Sequence, residues 1–265
     1  MTKFNPITVE QFANKTWRRN TNYSFAADTN ILPVMAIELA KIASAMPLGF
    51  VEIEGHFELI AITAWQPGTN FYVSETGNWL REYLPAILCA YPFRLIKPQD
   101  HDDFILSIDE ESGLVGGPLQ GELFYNVDGS PSQPIKEMLA FLVQIEQSKT
   151  VTQLAVNALQ EADLIQPWPL SLQNGDKVVT SKGLFQVNEI ALNTLPGEEF
   201  LALRNAGALS VAYAQMLSMN QFSMLNIVNQ KKMQLQTQQI QQGKAEGDLQ
   251  IGVDLGDFKF SFNDA

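Results

Sequence analysis

Apolar positions between residues 35 and 46 recur three and four apart. Met35, Leu39, Ile42 and Met46 share one stripe. That period predicts a helix over 28–46, with Asp28 or Thr29 as its cap and Pro33 near its first turn. The period then shortens to two. FVEIEG (50–55), HFELIAITAW (56–65) and NFYVSE (70–75) are rich in β-branched and aromatic residues. They read as strands, joined by turns at Glu54-Gly55 and Pro67-Gly68. Val51 and Ile53 alternate with Glu52 and Glu54, which suits a strand with one wet face.

YLPAILCAYPFRLI (83–96) is almost wholly apolar. It is shorter than the ~18 apolar residues of a membrane span, and Pro85 and Pro92 interrupt it. Leu84, Ile87, Leu88 and Tyr91 follow helical spacing, so a short buried helix from Pro85 to Pro92 is expected, then a strand through Phe93, Leu95 and Ile96. DDFILSIDEES (102–112) reads as a strand ending in acids. GLVGGPLQGELFYNVDGSPSQP (113–134) is loop-rich, with a turn at Val127-Asp128-Gly129.

The second half is helix-rich. Met138, Phe141, Leu142 and Ile145 predict a helix over 134–147, and a second is expected over 150–163. A polar-tipped hairpin fits 170–187, turning at Asn174-Gly175. A helix opening at Thr194 and Pro196 runs through Leu203, and Gly207 closes it. Leu209, Tyr213, Met216, Leu217, Met224 and Val228 extend the helical pattern over 208–229. Gln-rich QKKMQLQTQQIQQ (230–242) and a polar connector at 243–248 follow.

The last residues regain period two. Leu249, Ile251, Val253 and Leu255 alternate, and Phe258, Phe260 and Phe262 repeat the alternation after Gly256. A lone strand is unstable in water, so this segment is expected to dock, on its own core or on a partner by strand addition. The resulting fold class is α+β. Mainly antiparallel strands occupy the first half, helices concentrate in the second, and an extended tail closes the chain. One domain over 1–243 is expected, strand-rich over 1–133 and helix-rich over 134–243, with a docking tail over 244–265.

Composition narrows the functional classes. Of 265 residues, 46% are hydrophobic and 17% charged, a globular balance. Seventeen Lys and Arg face 29 Asp and Glu, for a net charge of -12. That balance opposes nucleic-acid binding and docking on anionic membranes. A single cysteine, Cys89, permits no internal disulfide, and its apolar neighbours suit a small buried hydrophobe. The first residues lack the apolar run of a secretory signal, so a cytoplasmic location is expected.

Catalytic signals are sparse. Asp109, Glu110 and Glu111 form an acidic candidate site, since adjacent carboxylates divide acid and base work when their environments differ. Asp100, His101, Asp102 and Asp103 supply metal-type ligands, but His56 is the sole second histidine. Trp65 and Trp79 near turns are the aromatic candidates for a pocket. The glycines of 113–121 match neither a phosphate loop nor a dinucleotide fingerprint, and no cofactor motif is present.

Five blocks together resemble the bacterial SapC family: NYSFAADTNILPVMAIELAKIASAMPLGFVE (22–52), REYLPAILCAYPFRLI (81–96), ILSIDEESGLV (105–115), GELFYNVDGSPS (121–132) and GDFKFSFND (256–264). The resemblance implies a protein associated with paracrystalline surface layers and a cell-surface setting. The leading reading is a non-enzymatic interaction or assembly protein. Its partner is another protein or a second copy, bound through the C-terminal tail. The alternatives are an accessory subunit of an enzyme, a small-molecule-binding protein and a structural protein of a bacteriophage particle.

Overall fold

The computed structural model describes residues 4–98, 103–117, 121–169, 171–174, 177–180 and 183–230. The chain divides into two compact units, Met1–Leu225 and Asn226–Ala265. The expected junction at 243–244 lies outside the described residues.

In chain order the first unit begins with β1 (Phe4–Pro6), α1 (Val9–Phe12), β2 (Thr16–Trp17), β3 (Ile31–Pro33) and α2 (Leu39–Ala43). The hairpin β4 (Leu48–Ile53) and β5 (His56–Ile62) follows, then α3 (Ala86–Cys89), β6 (Phe93–Ile96) and β7 (Ile105–Asp109). Two short strands, β8 (Val115–Gly116) and β9 (Glu122–Leu123), precede the long helix α4 (Gln133–Glu161). Strands β10 (Ile165–Pro167), β11 (Ser171–Asn174), β12 (Lys177–Thr180) and β13 (Phe185–Val187) lead to α5 (Glu189–Asn193), α6 (Gly197–Asn205) and α7 (Ala208–Ser218). Strand pairing is antiparallel throughout the described residues. A five-stranded sheet runs β10-β13-β4-β5-β3, beside the smaller sheets β1-β7-β6 and β8-β2-β9 and the β11-β12 hairpin. The fold is α+β, as the patterning predicts.

The β4–β5 turn forms at Glu54-Gly55. Both residues have positive φ (51° and 82°), the requirement of a two-residue hairpin whose twist matches its strands. The expected wet-face alternation is not observed along β4. Leu48 to Phe50 are buried, whereas Ile53 is exposed at the hairpin tip. The third expected strand, 70–75, reduces to a single bridge between Val73 and Trp79.

The helix expected over 28–46 is corrected. Residues 31–33 are an edge strand, in register with Ile60 to Ile62 of β5. Pro33 lacks a backbone donor, which an edge tolerates as well as a helix's first turn does. A 3₁₀ turn at Ala36–Glu38 follows, and the α-helix spans only Leu39–Ala43.

The two helices expected over 134–163 are one helix of 29 residues, α4. Ser132 caps it, its side chain accepting from the Ile135 N–H. Polar Ser148 in the expected break and Thr152 one turn beyond it face inward and are buried. Their hydroxyls accept from the Ile37 N–H (3.0 Å) and the Ala36 N–H (2.7 Å). Those are orphan donors at the start of the 3₁₀ turn, so the polar residues bind another element while α4 continues.

A core cluster of Phe12, Trp17, Phe93, Ile108, Phe124 and Leu142 is buried between β2, β6, β7 and α4. Trp17 meets Phe93 edge-on at 4.7 Å. The Cβ that Gly121 lacks would lie 2.2 Å from the Trp17 carbonyl oxygen, so only glycine admits β2 at that distance. The 83–96 segment behaves as read, with Pro85 at the N-cap of α3 and β6 after it. Cys89 is a correction: it is exposed, on the outer side of a helix of a single turn. The expected continuous helix over 208–229 is interrupted by a turn at 219–220.

Candidate functional site

The first unit carries an open groove of about 660 Å³. Its walls are the 36–44 segment and α7. Ala36, Ala40 and Ala43 face Ser210 and Ala214, and the short side chains leave the space between the helices unfilled. Leu39 and Leu217 add apolar surface, and Leu217 is 70% exposed.

Buried polar groups hold both walls. On the first wall the Glu38 carboxylate is only 3% exposed. It accepts from the Met35 N–H (3.3 Å), the Tyr83 hydroxyl (2.7 Å) and the Ala86 N–H (2.9 Å). It therefore caps the 3₁₀ turn and ties it to the start of α3. On the second wall Gln215 and Ser218 are fully buried. Gln215 Oε1 accepts from the Val187 N–H (3.0 Å), and its Nε2 donates to the Leu48 carbonyl (3.2 Å). The Ser218 hydroxyl accepts from the Leu48 N–H (2.9 Å). At one end Arg81 donates twice to the Ala45 carbonyl (3.1 and 2.8 Å) and reaches Gln221 Oε1 at 3.5 Å. The groove is thus bounded by fixed backbone and lined by short side chains. That geometry admits an apolar helix or chain segment.

The acidic candidates lie elsewhere, and the Asp109 and Glu110 side chains are engaged in the fold. Asp109 is buried at the end of β7, where it accepts from the Tyr91 hydroxyl (2.9 Å) and the Glu111 N–H (3.1 Å). Glu110 accepts from Asn5 Nδ2 and pairs with Lys15 Nζ, each at 2.8 Å. Glu111 is exposed. The first two carboxylates hold the N-terminal segment and the β6–β7 region together.

Trp65 is buried, and Trp79 donates to the Tyr83 carbonyl at 2.8 Å. Neither lines the groove. Asp103 is exposed and His56 lies at the exposed β4–β5 tip, while Asp100, His101 and Asp102 are outside the described residues. Among the described residues no group of three or more His, Cys, Asp and Glu is arranged to hold a metal ion. Leu249, Ile251, Val253, Leu255, Phe258, Phe260 and Phe262 also lie outside the described residues. No described helix is long and apolar enough to cross a membrane.

Although Cys89 is exposed at the surface, desolvation of its sulfur by the surrounding protein, then the nearby Glu38 charge, pushes the thiol up, which disfavours the nucleophilic thiolate. Burial and the hydrogen bond to Asp109 push the Tyr91 phenol up to about 12. Burial raises Tyr83 as well, followed by its bond to Glu38. A phenol with a raised value in the folded state favours the protonated form. Its contribution is complete below the unfolded value, about 10, and is lost as pH rises through the folded value. The melting temperature is therefore expected to fall between pH 10 and 12. Tyr91→Phe should show a smaller fall, read by circular dichroism. An equal fall in both proteins would exclude Tyr91 as a contributor.

Sequence reasoning missed Glu38, Gln215 and the groove. The one local signal was an acid three residues after Met35 inside an apolar stripe.

No curated protein and no solved structure matches the chain. The model of one family, described as SapC, matches residues 7–225, which include both walls of the groove, Glu38, Gln215 and the acidic strand end, and the chain belongs to the SapC family.

Proposed function

We propose that this SapC-family protein is a non-enzymatic assembly protein that docks another protein through exposed apolar surface. The groove between the 36–44 segment and α7 carries the reading. It is open, its walls are mainly alanines, serines and leucines with Asn220 and Gln221 at one end, and buried hydrogen bonds fix their backbone. A preformed apolar trough of this kind binds an amphipathic helix without first rearranging. The period-two series from Leu249 to Phe262 is proposed as a second contact, adding a strand to the same partner. The engagement of Asp109 and Glu110 in the fold supports a structural role for both acids. The setting proposed is the surface layer, on the family likeness.

Ala40 is exposed on the groove wall, so Ala40→Arg fills the trough without disturbing the core. The wild-type chain, Ala40→Arg and a chain ending at residue 243 are each used to capture partners from the source cells. Captured species are then titrated as purified proteins. The same partner should bind wild type at least about tenfold tighter than Ala40→Arg, as expected for a contact at an interface centre. The truncated chain should also bind less tightly. Equal binding by wild type and Ala40→Arg, or no protein bound by wild type, refutes the groove as the docking surface.

A further inference from the structure

Helix α4 is apolar on two opposite faces. Ile135, Leu142, Ile145, Val156 and Leu159 are buried in the unit. Leu139, Val143, Val151 and Leu154 remain 39, 37, 56 and 60% exposed. At about 100° per residue these four fall within an arc of about 120°, turned away from the buried set. A helix of a folded unit normally turns charged residues to that side.

The spacing of the stripe is close to palindromic. Leu139 and Val143 stand eight and four residues before Gln147, and Val151 and Leu154 stand four and seven after it. Gln147 is exposed in the same arc. An isologous contact requires one patch to complement itself under a two-fold axis. With the axis at Gln147 and the helices antiparallel, Leu139 meets Leu154 of the second copy, and Val143 meets Val151.

Charge agrees with this register. Lys136 and Glu161, both exposed, fall in the same arc, beyond the two ends of the stripe along the helix. Antiparallel pairing about Gln147 brings Lys136 of one copy within about one helical turn, ~5 Å along the axis, of Glu161 of the other. Two symmetric ion pairs then flank the apolar contact, whereas parallel pairing would set like charges together. A groove of about 550 Å³ runs beside the C-terminal half of the stripe, between Val151, Leu154 and Ala158 of α4 and Asn205-Ala206 at the end of α6. In that register it would face the Leu139 end of the opposing helix.

We propose that α4 is the contact helix of a two-fold symmetric homodimer, with its axis at Gln147. This contact is independent of the 36–44/α7 groove. Sedimentation equilibrium of the full-length protein should give a dimer. Leu154→Glu should weaken it at least about tenfold while keeping the wild-type circular dichroism spectrum and melting temperature. Lys136→Glu should weaken it less, and Lys136→Glu with Glu161→Lys should restore it. In a Cys89→Ser background, Gln147→Cys should cross-link to itself with a short bis-maleimide, and Lys136→Cys should not. A wild-type monomer at all concentrations overturns the proposal, whether the stripe is bare or covered by residues 231–265. A dimer indifferent to Leu154→Glu overturns it too, as does a charge exchange that fails to restore association.

Discussion

Glu38→Ala is expected to lower the unfolding free energy by about 3–5 kcal/mol, among the largest effects of a single change in this chain. The carboxylate is buried and accepts three hydrogen bonds, two from backbone N–H groups and one from Tyr83. Hydrogen bonds to a charged acceptor contribute roughly 1.5–3 kcal/mol each, and a buried donor left alone costs about 1–3 kcal/mol. The Ala86 N–H, on a buried residue, would then lose its side-chain acceptor. Glu38→Gln should cost less, about 2 kcal/mol, because one carbonyl oxygen still accepts while the new NH₂ group faces other donors. Tyr83→Phe removes a single bond and should cost about 1–1.5 kcal/mol. Urea unfolding monitored by tryptophan fluorescence gives all three values. A loss below about 1 kcal/mol for Glu38→Ala would mean that water reaches the site and replaces the carboxylate.

The position of Glu38 shows why some of this fold is legible in the sequence. Local chemistry announces the β4–β5 hairpin, because Glu54-Gly55 supplies the backbone a tight turn needs. It announces α3, because Pro85 opens a helix that Pro92 cannot continue. It fails where a residue serves a distant element. Pro33 suits a helix start and an edge strand equally, and only pairing with Ile60 decides between them. The pattern over 134–163 reads as two helices, yet α4 is continuous, because the Ser148 and Thr152 hydroxyls near the expected gap accept from Ile37 and Ala36, more than a hundred residues earlier. Cys89 reads as core because its neighbours are apolar, but a helix of one turn buries only one side, and Cys89 lies on the other. The groove was illegible for a related reason. Its alanines favour helix wherever they stand, and nothing local reveals that two such helices will face each other across a gap.

Gln215 is the sharpest example of that long-range use, and its replacement carries the second large expectation. Strands β13 and β4 share one register pair, Phe185 with Phe50. Beyond it the ladder stops, leaving the Val187 N–H and the Leu48 carbonyl to be satisfied inside the protein. Gln215 spans them, acceptor to one and donor to the other, and Ser218 takes the Leu48 N–H. An amide fits because it presents both functions from one planar group. Gln215→Leu keeps the volume and orphans two buried backbone groups, so a loss of about 3–4 kcal/mol is expected. Ser218→Ala orphans one and should cost about 1–2 kcal/mol. Both side chains act on Leu48, so the double variant should lose less than the sum of the single losses, by about 0.5–1 kcal/mol. If the losses are strictly additive, the two side chains hold α7 to the sheet independently. If the double variant falls short of the sum, Leu48 is the shared anchor. Loosening that anchor should then spread the groove, so Gln215→Leu should weaken partner binding even in solutions where the protein remains fully folded.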